Sequence, residues 1–133
     1  MSRVLADTHA AVWYFHHDRR LSSAAVRAMN DTAAAGYPIL IASISLVELT
    51  YLVEKGRIDR EIRRRLISLL EMPEQPLQLI PLDARIAAAV ESVAWKAVPD
   101  LPDRVIAATA LALDVPLVTR DGRIRASGIR TIW

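Results

Sequence analysis

Acidic side chains at well-separated points of this chain are the first candidates for chemistry. Asp7 closes the apolar run of "RVLADTH" with no Lys or Arg between it and Arg19, and Glu48, Asp103 and Asp121 follow much later, with Asp100 three residues ahead of Asp103. Carboxylates brought within a few ångströms of one another raise each other's pKa unless a cation neutralises them. A donor set of oxygens alone selects a hard cation, Mg²⁺ or Mn²⁺, over zinc, because the chain has no cysteine and no paired histidine ligands. Such an ion polarises a phosphoryl oxygen and lowers the pKa of bound water, and two ions together can clamp the attacking and leaving oxygens of an in-line displacement. That chemistry is phosphodiester hydrolysis.

Each acid also has a purely structural reading. Asp7 can N-cap the helix that follows it. Ser45-Leu46-Val47-Glu48 fits a capping box, with Glu48 reaching back to a backbone amide. Asp103, just after Pro102, suits a helix dipole, and Asp121-Gly122 is a common turn dipeptide. The structural readings need no shared location. The catalytic one does, so the elements that would bring the acids together decide between them.

The runs at 4–6 and 115–119 read as buried strands, and those at 38–43, 77–82 and 129–133 as further strands. Helical spacing is expected after the first strand ("AAVWYF"), over 21–35 with Ser22 and Ser23 as candidate caps and Gly36 beyond its end, over 45–56, and over 60–71 behind Asp59. Further helices are expected over 83–96 and about 102–113, the latter opening on Pro102 and apolar on nearly every side. Strands alternating with helices argue for an α/β fold, a parallel sheet covered on both faces. In such a sheet every strand C-terminus and every following helix N-terminus share one edge, where these folds place their sites. Asp7 after strand one, Glu48 at the start of the helix after strand two, Asp103 at the start of the buried helix and Asp121 after strand four all map to that edge.

The totals exclude other classes. One domain over residues 1–133 is expected, and no apolar stretch approaches the ~20 residues needed to span a bilayer. Absence of cysteine suits a reducing cytoplasm and removes thiolate nucleophiles and disulfides. The four glycines, at 36, 56, 122 and 128, form neither a phosphate loop nor a dinucleotide fingerprint. Basic charge is nearly all arginine, with only Lys55 and Lys96 as lysines, and it clusters over Arg57–Arg65 and at Arg120, Arg123 and Arg125, where it could meet phosphate or form a solvated helix face.

"LADTHAAVW" at 5–13, "ASISLVELTYLVEKGRI" at 42–58, "LPDRVIAATALALDVPLVTRD" at 101–121 and the closing "IRTIW" resemble a PIN domain, and within that group a VapC-type toxin ribonuclease of a toxin–antitoxin pair. The resemblance runs the length of the chain. It implies an α/β/α sandwich around a parallel sheet and Mg²⁺ or Mn²⁺ ligands mapping to Asp7, Glu48, Asp103 and Asp121, with Thr8 and Thr119 as polar neighbours. It also implies an RNA substrate, a small antitoxin partner and self-pairing. Related sequences often carry Asp-Pro-Phe-Asp-Arg where this chain reads Asp100-Leu101-Pro102-Asp103-Arg104, so Asp103 is the expected ligand and Asp100 an alternate or outer one.

Other residues near the motifs carry weaker signals. His9 follows Asp7 closely enough to touch substrate, although a packed or surface histidine is the simpler reading, and adjacent His16 and His17 face different sides of a helix. Trp13 reads as packing ahead of base stacking. The 45–70 segment, apolar on one side and arginine-rich on the other, is a candidate partner surface or ordinary intradomain packing. A catalytically inert domain of the same fold that binds RNA or protein is the main alternative. A phosphoacceptor receiver domain would need adjacent acids after strand one and a lysine after the last strand, and the chain has neither.

Overall fold

The computed structural model describes residues 3–133. Its strands are β1 (Leu5–Ala6), β2 (Ile39–Ala42), β3 (Leu77–Ile80), β4 (Leu117–Val118) and β5 (Thr131–Ile132). They form one sheet of order β3-β2-β1-β4-β5, parallel throughout, with Leu5 opposite both Leu40 and Leu117. The chain builds outward from β1 through β2 and β3, then returns to the other side of β1 for β4 and β5. The reversal point at the C-terminal end of β1 is the crevice where parallel sheets place their sites.

Alternate strand residues divide the core. Ile39 and Ile41 enter one layer with Ala10, Trp13, Met29, Leu49 and Leu66, whereas Leu40, Leu5 and Leu117 enter the other with Ile86, Ile106, Ala107 and Ile124. Period-two side chains on continuous apolar strands require exactly such helix layers on both faces, and the result is the expected α/β/α sandwich. The first layer contains α1 (Thr8–Phe15), α2 (Ser23–Ala34), α3 (Ser43–Glu54) and α4 (Arg60–Leu70), and the second α5 (Ala84–Ala89), α6 (Leu101–Leu113) and α7 (Gly122–Ala126). No helix among the described residues is long and apolar enough to cross a membrane.

Side-chain caps fix most helix starts. Asp7, Ser22, Asp59, Asp83, Asp100 and Asp121 each accept a backbone N–H two or three residues ahead. Gly36, in a left-handed conformation at φ 87°, closes α2 as expected.

Several boundaries depart from the sequence reading. The helix expected from 45 begins at Ser43 with Ala42 as N-cap and no side-chain cap bond, so the capping box does not form. Ser43 Oγ instead accepts from Leu82 N at 3.0 Å, and Ser45 is buried inside the helix with no partner for its Oγ among the described residues. Glu48 consequently lies in the second turn of α3. The helix expected over 83–96 stops at Ala89 and passes through a 3₁₀ turn at Val90–Ser92. Arg104 accounts for the stop: its guanidinium donates to Val90 O at 2.8 Å and Val93 O at 2.8 and 3.1 Å, satisfying carbonyls that further helix would otherwise have used. The chain then turns to bury Val93 and Val98. Pro102 is the second residue of α6, behind Leu101, and Asp121-Gly122 opens a short helix rather than a simple turn.

Candidate active site

The C-terminal edge of β1 and β4 opens into a cleft of about 360 Å³ lined by Asp7, Glu48, Asp103 and Asp121 together with Thr8 and His9, and walled further by Trp13, Ile106, Arg20 and Arg120. Each acid arrives by a different local rule. Asp7 is carried by the end of β1 and caps α1, with Oδ1 accepting from Ala10 N at 2.8 Å. Asp121 leaves β4 and caps α7, with Oδ1 accepting from Arg123 N at 2.9 Å and Ile124 N at 3.0 Å. Asp103 sits in the first turn of α6, and Glu48 reaches in from α3.

Two buried threonines tie these acids together. Thr119, fully buried, donates from Oγ1 to Asp7 Oδ2 and accepts Asp121 N at 3.0 Å, so one hydroxyl links the acids after β1 and β4. Thr8 donates to Glu48 Oε1, joining the start of α1 to α3 across 40 residues of sequence. A buried hydroxyl can do this because it donates once and accepts on its remaining lone pairs.

Electrostatics record the crowding. Burial, opposed by the Thr119 and Ala10 hydrogen bonds and by His9, raises the pKa of Asp7 above the usual carboxylate value, and Glu48 adds to the rise. Asp103 is pushed up to about 7, first by burial and then by Asp100, Asp121, Glu48 and Asp7. A carboxyl near 7 among several acids is the situation that a bound cation relieves. Among the described residues no three His, Asp or Glu side chains already close on one point around an ion. The donors themselves fit a hard cation: all four are carboxylates, and the capping oxygens retain further lone pairs.

Asp100 does not line the cleft. Its Oδ2 accepts from Asp103 N at 3.2 Å, making it the cap of α6. Asp100→Ala is therefore expected to lower stability by about 1 kcal/mol in urea denaturation while leaving the four-acid cleft intact. A loss of function as large as that of Asp103→Ala, at equal stability, would place Asp100 in the site after all.

His9 is exposed at the cleft and tilted against Trp13, 5.5 Å between ring centroids. Trp13 is 4% exposed and belongs to the core, so packing is its main role. His16 Nδ1 lies 2.9 Å from Val12 O, away from the cleft. None of the arginines from Arg57 to Arg65 lines the cleft, and Arg64 pairs with Glu61 at 3.5 Å, as on a solvated helix face. Ile62, Leu69 and Leu70 pack against the core around Leu66, so the apolar side of α4 is intradomain packing. Sequence reasoning missed Arg20 in the cleft wall. Only its loop position after α1 brings it there, and no motif marks it.

Comparison with known proteins agrees with this architecture. The PIN domain family model matches residues 4–128. The chain is 32% identical over 126 residues to Ribonuclease VapC22 of Mycobacterium tuberculosis, covering 95% of this chain and 92% of that protein. Among solved structures, it resembles a chain of VapBC2 from Rickettsia felis bound to a promoter DNA fragment, with TM-score 0.69, 19% identity and 98% of both chains covered. A toxin–antitoxin complex from Klebsiella pneumoniae gives TM-score 0.64 at 20% identity, covering 98% of this chain and 96% of that one. With a cleft built from acids at one edge of a parallel sheet and a family match over nearly its whole length, the chain belongs to the PIN domain family.

Proposed function

We propose that the chain is a metal-dependent endoribonuclease, the toxin of a toxin–antitoxin pair, acting in the cytoplasm. The observation that carries this reading is the convergence of Asp7, Glu48, Asp103 and Asp121 on one cleft, where burial and then the neighbouring acids push Asp103 up to about 7. The kinship with a named ribonuclease supports RNA as the substrate.

These four carboxylates would hold Mg²⁺ or Mn²⁺. When bound, the ion supplies Lewis-acid polarisation of the phosphodiester and a water acidified for attack. The chain's own residues set the geometry. Thr119 fixes Asp7 and the backbone of Asp121 relative to each other, and Thr8 fixes Glu48, so the acids are oriented before substrate arrives. Burial of Asp7 and Asp103 keeps water away from part of each carboxylate and strengthens its hold on a cation.

Likeness to a solved toxin–antitoxin complex supports a small antitoxin protein as partner, and self-pairing to a dimer is part of the same reading. Val47 and Tyr51, 64% and 54% exposed one turn apart on α3, are the exposed large apolar side chains of the 45–70 segment, with Lys55 Nζ 5.4 Å from the Tyr51 ring centroid, and would serve such contacts.

The test uses purified protein and a single-stranded RNA. Cleavage is expected with Mg²⁺ or Mn²⁺ and none in EDTA, and a saturating ion at 100 times its Kd is expected to stabilise the fold by about 2.7 kcal/mol in thermal melts. Cleavage in EDTA, or melting unmoved by either ion, would contradict metal dependence.

A further inference from the structure

Arg120 is a cation set among acids that does not pair with them. It lies between Thr119 and Asp121 in sequence and lines the same cleft as the four carboxylates. The ion pairs among the described residues do not include it, and neither do the side-chain hydrogen bonds. Its guanidinium carbon instead stands 4.7 Å from the centroid of the Trp13 ring. An arginine held over an indole face keeps its N–H fork free at the edge, because the attraction uses the plane of the guanidinium rather than its donors.

Arg20 provides an internal comparison. It also stands over Trp13, at 5.0 Å, but its charge is already satisfied by Asp18 through hydrogen bonds of 2.7 and 3.0 Å from Nη2 and Nε. Trp13 is itself fixed by burial and by Trp133, 6.0 Å away between centroids. Of the two cations lining the cleft on this platform, Arg120 is the one whose donors have no acceptor among the described residues.

We propose that Arg120 binds a backbone phosphate of the RNA beside the scissile bond, with Trp13 as the platform that presents its guanidinium. This rests on the ribonuclease reading above and assigns a substrate contact to it. A planar fork fits two oxygens of one phosphate, so Arg120 would set the register of the strand over the acids as well as adding affinity. Trp13 is a positioning residue, acting through Arg120.

The test is fluorescence anisotropy of a 5′-labelled ten-nucleotide single-stranded RNA, titrated across KCl concentrations. It is run in an Asp103→Asn background with Mg²⁺ present, so that the RNA is bound and not cut. Arg120→Gln is expected to weaken binding about 10-fold at 0.1 M KCl and to reduce the slope of log K against log salt by about 0.7, the value of one phosphate contact on a single strand. Arg120→Lys is expected to keep the slope, since its charge remains, but not the full affinity. Arg27→Gln, an exposed charge on α2 outside the cleft, is the control and should change neither quantity. Trp13→Leu should reproduce part of the affinity loss, and Trp13→Phe should restore it by returning an aromatic face.

Unchanged affinity and slope in Arg120→Gln would overturn the proposal, as would an equal effect of Arg27→Gln. The outcome separates from the ribonuclease reading. If wild-type protein cuts RNA in Mg²⁺ and Arg120→Gln cuts it with unchanged KM, only the Arg120 assignment fails. If RNA binds in an Arg120-dependent way but is never cut, the nuclease reading fails, and with it the scissile bond, while Arg120 keeps its role as a phosphate contact.

Discussion

Asp7→Asn is expected to reduce Mg²⁺-dependent RNA cleavage by at least about 100-fold while leaving the fold intact. The amide preserves the shape of the side chain: its oxygen can still cap α1 through Ala10 N, and its NH₂ can still meet Thr119 Oγ1 in a reversed hydrogen bond. What it removes is the negative charge at the centre of the cleft. Because burial already raises the pKa of Asp7, losing that charge relieves a desolvation cost, so the metal-free variant should melt no lower than wild type. Cleavage assays and melts on the same preparations separate the two effects. Full Mg²⁺-dependent cleavage by Asp7→Asn protein would remove Asp7 from the site, and loss of activity accompanied by unfolding would identify it as a structural cap alone.

Asp103→Asn is expected to stabilise the metal-free protein in a pH-dependent way. Asp103 has its pKa raised from 3.8 to about 7, so between these values the folded protein holds a proton that the unfolded chain has released. Stability therefore falls as pH rises through this window, and the whole penalty is present above pH 7. The rise corresponds to about 4 kcal/mol, which solvent screening of a half-exposed group reduces to about 1–2 kcal/mol. Replacement by asparagine should raise the melting temperature by about 3–8 °C at pH 8 in EDTA, with the gain fading towards pH 4. Added Mn²⁺ should reverse the order, because it stabilises wild type through Asp103 and competes best where that carboxyl is ionised. An Asp103→Asn protein melting below wild type at pH 8 without metal would contradict the proposed crowding of acids.

The inner strands β1, β2 and β4 were legible in the sequence because strands buried on both faces read as uninterrupted apolar runs, and the half-buried edge strands β3 and β5, interrupted by Gln78 and Thr131, also appear within a few residues of their expected positions. The acids could be assigned to one edge for a related reason: in a parallel sheet, position after a strand or at a helix start is position along that edge. The errors arose where distant contacts overrode local rules. Ser45 to Glu48 satisfies the capping-box pattern, yet Glu48 bonds Thr8, 40 residues earlier, and the helix starts two residues ahead of Ser45. The end of α5 is set by Arg104 from a later helix, which no local propensity around Val90 reveals. The preference for Asp103 over Asp100 came from the family resemblance, and the cap geometry supplies its physical reason, since both residues satisfy the same helix-start rule but Asp100 spends its side chain on Asp103 N. Arg20 and Arg120 meet over Trp13 from opposite parts of the chain; Arg120 stands in a quoted motif and a basic cluster, but nothing in the sequence links it to Trp13 or to Arg20.

Mapping RNA ends in cells tests most directly whether this acid-lined cleft cuts RNA. The chain alone would be induced, in parallel with its Asp7→Asn variant expressed to the same level, and newly formed RNA ends sequenced from both. Growth arrest is expected with wild type only, accompanied by a discrete set of new ends absent from the variant. The same ends in both cultures, or arrest by wild type with no new ends, would contradict RNA cleavage by this cleft.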